Sequence, residues 1–454
     1  MKKFDAIIIG AGQAGSPLAK ALAKAGWRVA LIEQRAVGGT CINDGCTPTK
    51  TMIASARVAH LVARAADFGV QTSAGRINLE QVQQHKNKVV HAFRDSTQTS
   101  LEETQNLELI YATASFTSAK QLELRFLDGS TQSLEAQHIF INTGTRPAQP
   151  KITGLADVHA LDSTSLLELD KIPEHLMIIG AGYIALEFGQ MFARFGARVT
   201  ILEQATRILP HEDPDVAQAM QQLLIDSGID LRLGVQIQSV SRLANQEIQL
   251  ELASGLFTGS HLLLATGRVP NTERLNLMLA GITTDTKGYV VVDDNLQTNV
   301  PNTYALGDVK GGAAFTHIAY DDYRIVRDAL LHNTKRSYKT RVIPYTVFTD
   351  PQLARVGMTQ TQAEEQGLEV KVYKLPMTSV ARAIETDETF GLMKVVVDAK
   401  TDLILGAAIL GVEGGEVMSV LQMAMLGNVT ASTIREMIFA HPTISESLNN
   451  LLML

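Results

Sequence analysis

A stretch of 28 residues near the N-terminus returns about 170 positions later. Ile7 to Gln34 reads IIIGAGQAGSPLAKALAKAGWRVALIEQ, and Met177 to Gln204 reads MIIGAGYIALEFGQMFARFGARVTILEQ, in register from the first glycine to the closing Glu-Gln. Each copy opens with a short apolar run, turns through glycines, continues with helical spacing and ends in a second apolar run closed by an acid, Glu33 or Glu203. This is one βαβ unit written twice. It commits the chain to an α/β fold built on two parallel sheets.

The glycines state what the turns are for. In the first copy Gly10 permits a tight turn, Gly12 lets backbone approach a pyrophosphate, and Gly15 lets the helix pack closely on the strand. The helix start then offers its unpaired N–H groups to phosphate, and Glu33 is positioned for a ribose. In the second copy, Gly180 and Gly182 hold the same places while Ala185 replaces the third glycine, a change of one methyl that the pattern tolerates. Glu203 favours a free 2′-hydroxyl and repels a 2′-phosphate, so NADH is expected ahead of NADPH. The chain thus carries two Rossmann-like dinucleotide sites.

With 454 residues and 45% apolar composition there is material for several cores. Forty basic against 47 acidic side chains give a net charge of −7, which offers no footprint for nucleic acid. The longest apolar runs, such as Leu403 to Val412, fall far short of the roughly 20 residues that span a bilayer, so no membrane role is expected. Lys2 and Lys3 before Ala6 to Ile9 mimic a signal peptide, but Asp5 and the early glycines fit a first strand, and a cytoplasmic location is expected.

Other segments fill in the architecture. Leu122 to Phe126 and Ile248 to Leu252 read as strands of small β insertions, each followed by a return strand ending in Thr-Gly: Ile139 to Thr143 with Gly144, and Leu262 to Thr266 with Gly267. From about Arg341 the pattern becomes α+β, with strands at Val342 to Phe348, Met393 to Val397 and Ile404 to Leu410 and a helix around Glu416 to Leu426. The expected domains are 1–148 and 271–340 around the first dinucleotide, 149–270 around the second, and 341–454 at the C-terminus.

The only cysteines, Cys41 and Cys46, lie in GGTCINDGCTPTK, residues 38–50. Two thiols are too few for a thiolate zinc site or a disulfide-rich scaffold, so no structural metal is expected. As a staple, so small a ring would contribute only roughly 2 kcal/mol, which a protein with large cores does not need. Pro48 suits the first turn of a helix, which sets Cys46 at a helix N-terminus, where the dipole favours thiolate. A poised, redox-active pair is the expectation.

From Phe4 to the C-terminus the chain resembles the class I flavoprotein disulfide reductases, which include dihydrolipoamide dehydrogenase, glutathione reductase and mercuric reductase, and residues 38–50 are the most specific part of that match. The resemblance implies FAD in the first site, a C-terminal dimerisation domain and a homodimer. It implies that Cys41 meets substrate, that Cys46 contacts the flavin, and that Lys50 lies near the flavin and pairs with Glu187, while Tyr183 covers the nicotinamide pocket. Gly39, Thr40, Thr143 and Gly144 fall among its FAD contacts, and Ile184 and Gly267 among those of the nicotinamide dinucleotide. Tyr304-Ala-Leu-Gly-Asp308 matches the second FAD motif, with Asp308 on the ribityl chain, and Phe315-Thr316-His317 follows where the family meets the flavin. His441-Pro-Thr-Ile-Ser-Glu446 matches the catalytic His and Glu given by the other subunit, although Thr443 and Glu446 also have capping-box spacing.

Departures from the family rank the acceptors. The tail Leu448 to Leu454 lacks the C-terminal thiols of typical mercuric reductases and of high-molecular-weight thioredoxin reductases. Thr47-Pro-Thr-Lys-Thr51 with Met52-Ile-Ala-Ser-Ala56 is similar to the mercuric-reductase-like branch that includes copper reductases. The leading expectation is electron transfer from NADH to a thiophilic metal ion, Cu(II) or Hg(II), held transiently by Cys41 and Cys46, or to a small disulfide. Dihydrolipoamide dehydrogenase is the second reading, and a slowly turning redox-sensing or assembly protein the third.

Overall fold

The computed structural model describes residues 1–73 and 75–454, which form two compact units. The first comprises Met1–Thr51, Glu80–Ala148 and Gly267–Arg341. At its centre the strands Leu107–Tyr111, Val29–Glu33, Lys2–Ile9 and Thr131–Ile141 lie side by side and parallel, with Thr303–Ala305 also parallel to Thr131–Ile141. Gln121–Arg125 and Thr113–Ser118 extend the sheet antiparallel. The second half of strand Lys2–Ile9, Ala6 to Ile9, is continuously apolar for a visible reason. Ile7 and Ile9 enter one core, while Ala6 and Ile8 enter another that also holds Leu18 and Leu22 of helix Gly15–Lys24. Both faces of a parallel sheet are covered, so neither face can be polar.

The second unit comprises Met52–Leu79, Gln149–Thr266 and Val342–Leu454. Its parallel sheet runs Asp230–Arg232, Arg198–Leu202, His175–Ile179, His261–Leu264, beside the three-stranded meander Ile237–Arg242, Ile248–Leu252, Gly255–Gly259. A five-stranded antiparallel sheet follows in the order Pro344–Val347, Gln352–Gly357, Ile404–Gly411, Leu392–Asp398, Val370–Pro376. Helix Gly414–Leu426 packs Val417, Met418 and Leu421 into the core formed with that sheet.

Several boundaries differ from the sequence reading for identifiable reasons. The strand expected at Val342 to Phe348 is confined to Pro344–Val347, since proline has no N–H for a ladder and belongs at a strand's first position. The two return strands stop at Ile141 and Leu264, before their Thr-Gly endings. There Gly144 and Gly267 take left-handed backbone conformations with φ of +66° and +114°. Helix Leu79–Glu102 and strands Gln352–Gly357 and Val370–Pro376 were not anticipated. Among the described residues no helix is long and apolar enough to cross a membrane.

Candidate active site

The first glycine turn leaves no room for side chains. A Cβ on Gly10 would lie 2.3 Å from the Asn142 carbonyl oxygen, and one on Gly15 would lie 2.1 Å from the Gly10 carbonyl oxygen. Asn142 Nδ2 donates to that Gly10 oxygen at 3.1 Å. Helix Gly15–Lys24 then begins with no side-chain cap and no acid in its first turn; Ser16 N is bonded to the Gly12 carbonyl at 3.1 Å and Pro17 has no N–H, so it is the positive end of the helix that faces a ligand. Glu33 accepts from Ala11 N at 3.0 Å with one oxygen and from Arg35 N at 2.9 Å with the other. Glu203 does the same in the second unit, accepting from Ala181 N at 2.7 Å and Ala205 N at 2.8 Å. The acid that closes each unit therefore also ties down its glycine turn, a task the pattern alone did not disclose.

The sulfurs meet where two helices begin. Cys41 rides on the short helix Gly39–Asn43, which also carries Thr40, and helix Cys46–Ala63 starts at Cys46 itself. Thr316, first residue of helix Thr316–Leu331, has its Oγ1 3.4 Å from Cys46 Sγ. Both cysteines are thiols, and the Cys41 thiol is pushed far above its ordinary range. Its hydrogen bond to Cys46 is the largest cause, followed by burial and the charge on Cys46, while Thr316 and the Lys50 ammonium oppose them. The two thiols thus stand as hydrogen-bonded neighbours at the start of helix Cys46–Ala63, beside Thr316 and Lys50.

The loop between the cysteines is pinned from both sides. Asn43 Nδ2 donates to the carbonyls of Val37 at 3.0 Å and Gly39 at 2.9 Å, and Arg94 Nε donates to Asn43 Oδ1 at 2.7 Å. The Arg35 guanidinium grips the Asp44 carboxylate with both Nη atoms. Asn43 and Arg94 went unnoticed in the sequence because they lie 51 residues apart.

The remaining candidates of the first unit, Asp308 among them, are held by local contacts. Thr145 Oγ1 donates to Asp308 Oδ2 at 3.2 Å, and Arg268 reaches the same threonine through Nε at 2.7 Å and Nη2 at 2.8 Å. Burial raises the Asp308 carboxyl above its ordinary range against Arg268 and Thr145. Thr143 Oγ1 donates to the Asn271 carbonyl at 2.9 Å, Asn271 N donates to the Gly144 carbonyl at 3.0 Å, and Ala148 N to that of Gly267 at 3.0 Å. The rings of Phe315 and His317 stack at 5.4 Å with an interplanar angle of 9°.

In the second unit helix Tyr183–Phe195 begins just after Gly182 without a side-chain cap, with Tyr183 and Ile184 half-buried in its first turn. Ala185 is fully buried, and the buried Glu187 accepts from Phe348 N at 2.9 Å. His441 Nδ1 lies 3.0 Å from both oxygens of Glu446. A carboxylate can only accept, so Nδ1 carries the proton and Nε2 of the neutral ring is left as a base. The His441 side chain is 72% exposed and that of Glu446 19%, so the ring is presented outward on a partly sheltered acid. The capping box suggested by Thr443 and Glu446 is half-formed. Glu446 N donates to Thr443 Oγ1 at 3.2 Å, but the glutamate carboxylate is taken by His441, and the helix starts only at Ser447.

Cys41, Cys46, Lys50 and Thr316 are thus brought together in the first unit, and Tyr183, Glu187 and Glu203 share one βαβ turn in the second. Among the described residues no group of three or more His, Cys, Asp or Glu could hold a metal ion. The two turns fit dinucleotides: each pairs a helix start without a side-chain cap with an acid at the end of the next strand. Asp308 and Thr145 add a buried polar edge beside the first turn.

Comparison with known proteins agrees. Residues 4–322 match the pyridine nucleotide-disulphide oxidoreductase family, and residues 343–452 match its dimerisation domain. The probable pyridine nucleotide-disulfide oxidoreductase RclA of Escherichia coli K12 is 42% identical over 455 residues, 99% of each chain. A mercuric reductase of Lysinibacillus sphaericus is 35% identical over 448 residues, covering 98% of this chain and 81% of that protein. A solved Cu(II) complex of the HOCl-induced flavoprotein disulfide reductase RclA from Escherichia coli superimposes with a TM-score of 0.92 at 41% identity, over 100% of this chain and 99% of that one.

Proposed function

The chain belongs to the pyridine nucleotide-disulphide oxidoreductases, FAD-dependent enzymes, and from that premise we propose that it draws electrons from NADH and delivers them through Cys41 and Cys46 to Cu(II), Hg(II) or a small disulfide. The observation that carries this reading is the hydrogen-bonded pair of thiols at the start of helix Cys46–Ala63, with Thr316 Oγ1 3.4 Å from Cys46 Sγ. Bound flavin supplies the two-electron relay between nicotinamide and sulfur. Everything else falls to the chain's own residues.

Gly10, Gly12 and Gly15 with Glu33, Gly39, Thr40, Thr143, Gly144, Asp308, Phe315 and His317 hold the flavin dinucleotide. Gly180, Gly182, Tyr183, Ile184, Glu203 and Gly267 hold the nicotinamide dinucleotide. The Glu203 carboxylate disfavours a 2′-phosphate, which selects NADH over NADPH. Cys46 keeps the negative charge, stabilised by the helix start, the Thr316 hydroxyl and the Lys50 ammonium. Cys41 keeps the proton and meets the acceptor. His441 Nε2, oriented by Glu446, serves a second copy of the chain in a homodimer, taking the Cys41 proton as its sulfur attacks. Closing the disulfide from this thiol and thiolate releases one proton and two electrons, enough to open one disulfide to a thiol and a thiolate, to reduce one Hg(II) to Hg(0), or to reduce two Cu(II) to two Cu(I). Thiolates suit both metals, and reduced thiols suit a cytoplasmic setting.

The test is NADH consumption by the flavin-loaded enzyme over Cu(II), Hg(II), glutathione disulfide, lipoamide and quinones. Turnover with Cu(II) or Hg(II) that vanishes in Cys41→Ser is the expected result. Rapid NADH formation from dihydrolipoamide and NAD⁺ would overturn it in favour of a dihydrolipoamide dehydrogenase. Flavin that NADH cannot bleach would point to a redox sensor.

A further inference from the structure

Helix Tyr183–Phe195 presents three polar side chains on one stripe, and all three are used by a single short segment. Glu187, Gln190 and Arg194 stand at positions i, i+3 and i+7 and therefore share a helix face. Glu187 accepts from Phe348 N at 2.9 Å. Gln190 reads one residue of backbone in both directions: its Nε2 donates to the Asp350 carbonyl at 2.9 Å and its Oε1 accepts from Asp350 N at 2.7 Å. Arg194 Nη1 donates to Asp350 Oδ2 at 2.5 Å, and its Nη2 to the Asp350 carbonyl at 3.1 Å. A helix held by both backbone groups of one residue cannot slide by a residue without losing every bond.

The other carboxylate oxygen of Asp350 is taken from a different helix. Arg57, on helix Cys46–Ala63, donates through Nη1 to Asp350 Oδ1 and through Nη2 to Glu388 Oε1 at 2.7 Å. Asp350 therefore spends one oxygen on the helix that begins with Cys46 and the other on the helix that carries Glu187. Its side chain is 15% exposed and that of Arg194 is 12% exposed, so water replaces neither partner readily.

We infer that Asp350 is a positioning residue for NADH oxidation: it fixes the helix of Glu187 through Gln190 and Arg194, with Arg57 holding its second carboxylate oxygen. The inference rests on reading Tyr183 and Glu187 as the nicotinamide side of the proposed mechanism. Asp350 touches neither substrate nor cofactor there, and acts only through Arg57, Gln190 and Arg194.

The consequence is a difference between the two half-reactions. Reduction of the sulfur pair by NADH needs the helix of Glu187 in its place, whereas oxidation of a chemically pre-reduced sulfur pair by acceptor needs no nicotinamide. Misplacement on the scale of 1 Å costs up to about 100-fold in rate. Asp350→Asn keeps the backbone bonds to Gln190 and the side-chain size, but sets an amide N–H group against one of the two guanidinium groups. In rapid-mixing experiments on flavin-loaded enzyme it is expected to slow NADH-driven reduction by about 10-fold or more at unchanged NADH affinity. Oxidation of the dithionite-reduced enzyme by Cu(II) is expected to stay within about twofold, since that half-reaction needs no alignment of the nicotinamide helix. Arg57→Gln, at the more exposed end of the network, is expected to slow the same step by a smaller factor, and it carries the test if Asp350→Asn does not fold. Equal slowing of both half-reactions, or none in either variant, overturns the inference. Wild-type enzyme whose sulfur pair NADH does not reduce overturns the proposed function and this inference with it. Normal wild-type reduction with an unimpaired Asp350→Asn overturns the inference alone.

Discussion

Asp322 holds three partners in the first unit, and Asp322→Asn tests what its charge contributes. The side chain is fully buried. Oδ2 accepts from Gly307 N at 2.8 Å and lies 3.3 Å from Lys310 Nζ, while Oδ1 accepts from Arg341 Nη1 at 2.7 Å. Asparagine preserves volume and still offers an oxygen to Gly307, so the substitution isolates the loss of the anion facing two buried cations. Removing one partner of such a network costs about 3–5 kcal/mol, because the other charges stay buried without compensation. At an unfolding entropy of about 2.1 cal/mol/K per residue, a loss of about 4 kcal/mol lowers Tm by about 4 °C if the whole chain unfolds together. If only the first unit of about 195 residues unfolds, the drop is about 10 °C.

Lys310 relieves part of that cost in a way that can be measured. Burial already lowers its pKa, and Asp322 is the strongest influence raising it. In the variant the folded pKa falls further below the unfolded value, so the unfolded state holds more protons across that window and stability rises with pH. The deficit is therefore largest near neutrality and shrinks toward alkaline pH as Lys310 becomes neutral. Arg341 cannot follow, so some deficit remains. Because Gly307 and Asp308 share this turn, release of flavin fluorescence on heating reports the same transition. A variant whose Tm stays within about 1 °C of wild type at pH 7 would refute the reasoning, and so would a deficit that grows with pH.

Three further outcomes follow from the site and the buried titratable groups. Cys46→Ser should abolish the long-wavelength absorbance of the two-electron-reduced enzyme while FAD stays bound, and persistence of the band would reassign the sulfurs. Glu203→Ala should narrow the NADH preference by about 10-fold in the ratio of kcat/KM values by removing repulsion of a 2′-phosphate, whereas an unchanged ratio would show that Glu203 serves only Ala181 and Ala205. His60, His138, His175 and His261 all have pKa values lowered chiefly by burial. The unfolded chain therefore takes up protons first, and stability falls as pH drops below about 6.5. The carboxylate of Asp213, held down to about 2 with Lys394 as its strongest favourable partner, is lost only in far stronger acid. Glu212 and Asp308, raised by burial, oppose the histidine trend at lower pH. His175→Gln should consequently flatten the slope of urea midpoint against pH between 7.5 and 5.5, and an unaltered slope would exclude His175 as a contributor.

What could be read in advance was whatever is local along the chain. The two glycine turns, their closing acids and the helix start at Cys46 each depend on residues within one βαβ unit or one helical turn, and the spacing exposes them. The α+β character after Arg341 was also legible, but strand Gln352–Gly357 was not. It holds Arg355, which is 4% exposed in the middle of an antiparallel sheet, so its apolar alternation is interrupted by a charge. Its partner is Glu212, 3.5 Å away in space but 143 positions earlier in the chain. Helix Leu79–Glu102 was missed for a related reason. Its sequence is largely polar, and Arg94, the residue it contributes to the sulfur loop, is defined only by reaching Asn43.

The same distinction separates the reacting groups from those that hold them. Cys41, Cys46, Lys50, Glu187 and His441, the groups proposed to react, could be named from motif position, because each is adjacent in sequence to a turn or helix start. Asn43, Asp322 and Asp350 were invisible, because each takes its meaning from partners beyond its own turn, Gly307, Lys310 and Arg341 for Asp322, Arg94 51 residues away for Asn43 and Gln190 160 residues away for Asp350. Glu446 lies between these cases. Its three-residue spacing from Thr443 satisfies a helix cap and its five-residue spacing from His441 satisfies a proton relay, and local propensity favours the first. The structure gives Glu446 N to the threonine and its carboxylate to the histidine. A backbone N–H near a helix start finds another acceptor cheaply, whereas an imidazole that must present Nε2 outward has no substitute for a carboxylate on Nδ1. Where one side chain can satisfy either folding or proton transfer, its choice is thus a signature of chemistry, and Glu446→Gln should leave the helix at Ser447–Leu451 intact while slowing the exchange step.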